Sequence, residues 1–91
     1  MGQRPRARPK YLGPKLLTIR RRLGLSQSQM ARLLKFKTSY ARVSEYESGT
    51  REPNLLVLLR YSEIAGVHLE TLIDDRLKLP EKKILGPRHV G

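Results

Sequence analysis

The sequence predicts an all-α protein: a compact five-helix bundle with a flexible basic N-terminal arm (residues 1–12) and an extended C-terminal tail (74–91). Three observations predict it. Apolar residues between 13 and 73 recur at helical spacing; Pro, Ser, Thr or Asn signals open the main runs; and Gly24, Gly49 and Gly66 close three of them. A chain of 91 residues has material for one core, so residues 13–73 are read as a single domain.

The arm alternates Arg or Lys with Pro5 and Pro9, a composition that disfavours helix and buries nothing. Gly13-Pro14 then offers a helix start with Pro at the first helical position, and Leu16, Ile19 and Leu23 mark the buried face up to Gly24. Ser26 and Gln29 have the spacing of a capping box, opening a second helix to about Leu34. On it, Gln27, Met30, Ala31 and Leu34 share one face, with Met30 in the core and Ala31 small enough for close helix approach.

Residues 35–38 (Lys-Phe-Lys-Thr) break the pattern, after which Thr38 or Ser39 caps a third helix running to Ser48, with Gly49 as its left-handed stop. Val43, Tyr46 and Glu47 point inward; Ala41, Ser44, Glu45 and Ser48 form a small, polar outward face. Glu47 on the inward side requires a cationic partner.

Asn54 caps the fourth helix, striped by Leu55, Leu58, Leu59, Ser62 and Ala65 until Gly66, and Val67 to about Ile73 makes a short fifth. The run Leu55-Leu56-Val57-Leu58-Leu59 is apolar all round, which implies a second buried side, supplied by a dimer contact or a folded-back tail. Beyond Asp75 the chain is polar and Pro-punctuated, without a sustained period.

Composition narrows the function. The chain has 19 Lys and Arg against 8 Asp and Glu, a net charge of +11, and residues 1–22 contain no acid. Such a field draws phosphate polyanions, and the N-terminal end is expected to lie against one. A merely solubilising surface and binding to anionic lipid are the blander readings.

No stretch reaches the roughly 18 apolar residues of a membrane span, and no apolar run follows the basic start, so a soluble, cytoplasmic protein is expected. With no cysteine and only His68 and His89, neither a disulfide nor a zinc site is expected. No nucleophile-base set or phosphate-binding glycine loop is present, so no enzyme, cofactor or small-molecule substrate is expected.

Two short helices joined by a tight turn, the second polar outside, match a helix-turn-helix. The residues LGLSQSQMARLL (23–34), VSEYESG (43–49) and REPNLLVLL from Arg51, followed by Ala65-Gly66-Val67 and Leu69, resemble the Cro/C1-type, phage-repressor-like (XRE, lambda-repressor-like) family. The resemblance spans about residues 13–73 and implies a DNA-binding regulator, commonly a dimeric repressor on inverted-repeat operators. It implies that Gln27 bonds a phosphate and that Tyr40, Ala41, Arg42, Ser44 and Glu45 meet base edges. Ser39, Ser48 and Arg51 flank them in the DNA-binding set, and Glu47 pairs with Arg20.

By their chemistry, Arg42 can donate to guanine or phosphate and Glu45 can accept from cytosine N4, although a local ion pair between them is equally compatible. Tyr40 can stack on sugar or touch a thymine methyl, while Ala41 offers only apolar surface. Family members usually place two residues between the helix 2 Leu and the helix 3 cap; here four stand there, with Phe36 as the expected apolar plug and Lys35 and Lys37 as further phosphate contacts. Arg4, Arg6 and Arg8 of the arm are expected to touch phosphates or a narrow minor groove.

Two other functions fit the same features. An antitoxin would bind both its operator and a protein partner, gripped through helix 4 or the tail. A basic RNA-associated protein would need more stacking aromatics than four Tyr and one Phe, two of them assigned to the core.

Overall fold

Helix α1 (Leu12–Arg22) begins two residues before the position that Pro14 predicts. A proline is tolerated there because the first four N–H groups of a helix have no acceptor within it. The real constraint is on Gly13. A β-carbon at that position would lie 2.7 Å from the carbonyl oxygen of Glu47 and 3.1 Å from that of Tyr46, so glycine permits the close crossing of α1 over the third helix. The computed structural model describes residues 8–35 and 37–81, and among them five helices and no strand.

Helix α2 (Gln27–Leu34) opens on the full capping box: the Gln29 N–H donates to Ser26 Oγ at 3.0 Å, and the Ser26 N–H to Gln29 Oε1 at 2.8 Å. Helix α3 (Tyr40–Ser48) is capped by Ser39, whose Oγ accepts from the Arg42 N–H, and ends at Gly49 with φ +82°. Thr38, the alternative cap, is occupied otherwise: its N–H and hydroxyl both donate to the Lys35 carbonyl, closing the turn on itself. Asn54 caps α4 (Leu55–Ala65), and α5 (Leu69–Ile73) follows without a side-chain cap.

The core lies where α1, α2, α3 and α4 converge. Leu16 and Ile19 of α1, Met30 and Leu34 of α2, Val43 of α3 and Tyr61 of α4 are all completely buried, with Leu72 of α5 closing one end. Helix α4 is rotated from the predicted stripe. Leu58, Ser62 and Ala65 are buried as expected, but so are Val57, Tyr61 and Ile64, while Leu55 is 67% exposed and Leu59 43%. An all-round apolar run cannot fix its own rotation, and the i, i+4, i+7 set Val57–Tyr61–Ile64 carries the larger buried face.

Basic side chains tie off helix C-termini. Lys15, itself 7% exposed, donates from Nζ to the Thr71 carbonyl at 2.7 Å and the Asp74 carbonyl at 3.0 Å, closing α5. Arg60 donates to the Leu33 carbonyl at 3.0 Å at the end of α2. Carbonyls at a helix end lack intrahelical donors, and a cation there also complements the helix dipole.

Residues 74–81, the described part of the tail, form neither helix nor strand and are held against the body of the fold. They form a strap along α1: the Asp75 carboxylate accepts the Lys10 and Tyr11 N–H groups at 2.8 and 3.1 Å, Arg22 donates to the Pro80 carbonyl, and Leu79 packs on the core. Part of the tail therefore covers α1, not the exposed leucines of α4.

Candidate nucleic-acid interface

The Arg20–Glu47 pair fixes how α3 sits on α1. Arg20 Nε donates to Glu47 Oε2 at 2.6 Å and Nη2 to Oε1 at 3.0 Å, a bidentate fork, while Nη1 donates to the Leu25 carbonyl at 3.0 Å. The Glu47 side chain is 6% exposed, so the pairing expected of this inward carboxylate is present and structural. Gln27 joins it, donating from Nε2 to Glu47 Oε1 at 3.2 Å. At the exposed start of α2, Gln27 is thus half-buried and leaning inward, with its amide already oriented.

With Val43, Tyr46 and Glu47 turned in, α3 presents its other side to solvent. Tyr40, Ala41, Ser44 and Ser48 are exposed, and Arg42 and Glu45 are half-buried, so the outward face predicted for this helix is open. Ser39 is also exposed, but its hydroxyl is committed to the cap. The Ser48 hydroxyl donates to the Glu45 carbonyl at 3.2 Å and lies 2.8 Å from that of Thr50.

Arg42 and Glu45 form the local ion pair that the sequence leaves as one alternative, and a third residue joins it. Glu45 Oε1 accepts from Arg42 Nη1 at 3.1 Å and from Arg51 Nε at 3.2 Å. Burial pushes the Glu45 carboxyl up, but the hydrogen bonds from Arg42 and Arg51 outweigh it and hold the group below the usual carboxylate range. Arg42, Arg51 and Lys37 also line one open groove with Thr38 and Asn54, between the turn, α3 and the connector to α4.

The four-residue turn brings Lys35 and Lys37 to the surface, both with positive φ, +59° and +57°. At Lys35 ψ is −150°, a region that residues with a β-carbon rarely adopt. Phe36, the expected plug, lies outside the described residues, as do Arg4 and Arg6. Arg8 is described: its guanidinium donates to the Gly49 carbonyl at 3.3 Å, which places the root of the arm beside the C-terminus of α3.

The basic N-terminal segment is less available to an outside polyanion than its charge suggests. Lys15 and Arg20 are consumed inside the fold, and Arg22 holds the strap. No sequence pattern links Arg51 to Glu45 or gives Lys15 or Asp75 a structural role; each acts across a gap in sequence that periodicity does not register. Among the described residues no three His, Cys, Asp or Glu side chains group to hold a metal ion, and no helix is long and apolar enough to cross a membrane.

A family model described as helix-turn-helix matches residues 16–72. Among solved structures, the P22 c2 repressor protein in complex with synthetic operator 9T in the presence of Tl+ is similar, with a TM-score of 0.64 and 22% sequence identity over 70% of this chain and 94% of that one. At that identity the likeness is one of fold. None of the curated proteins matches the chain significantly.

Proposed function

This chain belongs to the helix-turn-helix family, and from that premise we propose that it is a sequence-specific double-stranded DNA-binding transcriptional regulator, a repressor, that reads the major groove with α3. The observation that carries the reading is the asymmetry of α3. Its inner side is locked by Val43, Tyr46 and the Arg20–Glu47 fork, while Tyr40, Ala41 and Ser44 stand free of any partner helix. A rigid helix with a small, polar outer face suits the roughly 12 Å major groove. A net charge of +11 supplies the sequence-independent attraction.

In this reading Gln27, Lys35 and Lys37 bond phosphates on either side of the groove. Tyr40, Ala41, Arg42, Ser44 and Glu45 meet base edges, Ser39, Ser48 and Arg51 flank them, and Arg4, Arg6 and Arg8 follow the backbone. The DNA-binding domain is assigned to residues 13–73, with 1–12 as arm and 74–91 as tail; the near ends of both, Leu12 in α1 and residues 74–81 in the strap, pack on it. Leu55, Leu56 and Leu59, exposed together on α4, support a homodimer. The same patch favours the second reading, an antitoxin whose partner protein sits there.

Selection of bound duplexes from a random pool at physiological salt tests the proposal. The expected outcome is an inverted repeat with half-sites roughly 10 bp apart, centre to centre. Enrichment of a single unrepeated site would contradict the homodimer, and enrichment of no sequence would contradict the function. Co-purification of a small protein on α4 would favour the second reading.

A further inference from the structure

Glu45 stands on the outward face of α3, where a lone carboxylate would be repelled by phosphates. It is not alone: one oxygen, Oε1, accepts from Arg42 Nη1 at 3.1 Å and from Arg51 Nε at 3.2 Å. The Arg51 N–H also donates to the Glu45 carbonyl at 3.3 Å, so Glu45 holds Arg51 by both main chain and side chain. Arg51 lies beyond Gly49, where the chain has left the helix, and its guanidinium would otherwise rotate freely about the bonds of a long side chain.

We propose that Glu45 is a positioning residue: a carboxylate shared by Arg42 and Arg51 that aims both guanidinium groups at DNA and does not itself read a base. The proposal rests on the DNA-binding reading above and assigns a different role to one residue within it. A guanidinium has five N–H donors. The bonds to Glu45 use Nε of Arg51 and one N–H of Arg42, so among the described residues the whole terminal edge of Arg51 and most of the Arg42 fork stay open. Such edges bind guanine or phosphate bidentately. The three side chains together keep a charge of +1, and Arg42 and Arg51 face the same groove as Lys37 and Glu52. Both arginines are 44–51% exposed and Glu45 36%, so the cluster is open to a ligand and is not part of the core.

The test compares wild type, Glu45→Gln, Arg42→Ala and Arg51→Ala as full chains, by duplex selection and by the ratio of selected-site to non-specific affinity at fixed salt. Thermal melts confirm that each variant folds. Glu45→Gln is expected to lower that ratio roughly tenfold, within the range of a bidentate contact. It should lose discrimination at the same base pairs as the arginine variants, while non-specific binding strengthens because a negative charge has left the surface.

A preference altered at a base pair that neither arginine affects would make Glu45 a direct reader and overturn the proposal. An unchanged ratio would reduce the cluster to a surface ion pair and overturn it as well. Failure of the underlying reading looks different: wild type itself would then select no sequence.

Discussion

Replacing Glu47 by Ala should unfold a large part of the domain's margin of stability. The Glu47 carboxylate accepts three N–H groups, from Arg20 at 2.6 and 3.0 Å and from Gln27 at 3.2 Å, with its side chain 6% exposed. Its removal leaves the Arg20 guanidinium, 15% exposed, with the Leu25 carbonyl as its remaining acceptor. Breaking a buried pair from one side costs about 3–5 kcal/mol, and the lower figure suits a guanidinium that retains one bond. At about 4–8 °C per kcal/mol for a domain of this size, a 3 kcal/mol loss lowers Tm by roughly 12–24 °C.

Urea denaturation and thermal melts of wild type, Glu47→Ala, Arg20→Ala and the double variant give the coupling energy directly. The double variant should lose less than the sum of the singles. A loss below about 1 kcal/mol in Glu47→Ala, or a coupling near zero, would refute the structural role given to the pair.

Gly13→Ala should destabilise by about 1–3 kcal/mol in urea denaturation, because the added β-carbon meets the Glu47 carbonyl at 2.7 Å and α1 must move off α3. Lys35→Gly should stabilise by about 1 kcal/mol in the same measurement, the relief of φ +59°, ψ −150° exceeding the entropy that glycine loses on folding. Acid should loosen the strap. The Lys10 and Tyr11 N–H groups hold the Asp75 carboxyl below its usual range, and hydrogen bonds from Arg76 bring Asp74 down to about 2. These depressed groups add stability above the unfolded value of about 3.9, and it is lost as pH falls toward 2. Melts over that window should drop, and Asp75→Asn should drop less. Tyr61→Phe should stabilise by about 1 kcal/mol, since the buried hydroxyl has no hydrogen-bond partner among the described residues. Burial raises its pKa, so wild type should also lose stability above pH ~10 relative to the variant in alkaline melts.

What the sequence made legible was the local chemistry. Ser26 with Gln29, Ser39, Asn54, Gly49 and Gly66 each act within a few residues of themselves, and each does what its type and spacing predict. The outward face of α3 was legible for the same reason: Val43 and Tyr46 set the inner side, and the rest follows from 3.6 residues per turn. The Arg20–Glu47 pairing came through family resemblance, since 27 residues separate the partners.

Long-range geometry was not legible. Lys15 looks like one more surface cation until Thr71 and Asp74, 56 and 59 residues on, supply the carbonyls it ties. Gly13 reads as a helix boundary until α3 crosses it, and the five apolar residues 55–59 carry no information about which of them turn inward. In the site, the sequence offered Arg42 and Glu45 as base readers or a local pair. Arg51, six residues past Glu45 and beyond a left-handed glycine, gave no periodic signal of joining them.

In the proposed complex the solvent-facing side of α3 is the surface that enters DNA. Titrating a selected duplex into the isotope-labelled protein and following backbone amide shifts measures this most directly. The largest changes are expected at Tyr40, Ala41, Ser44 and Ser48, with smaller ones at Gln27 and in the turn. Changes confined to Leu55, Leu56 and Leu59, with the 40–48 amides unmoved, would contradict it.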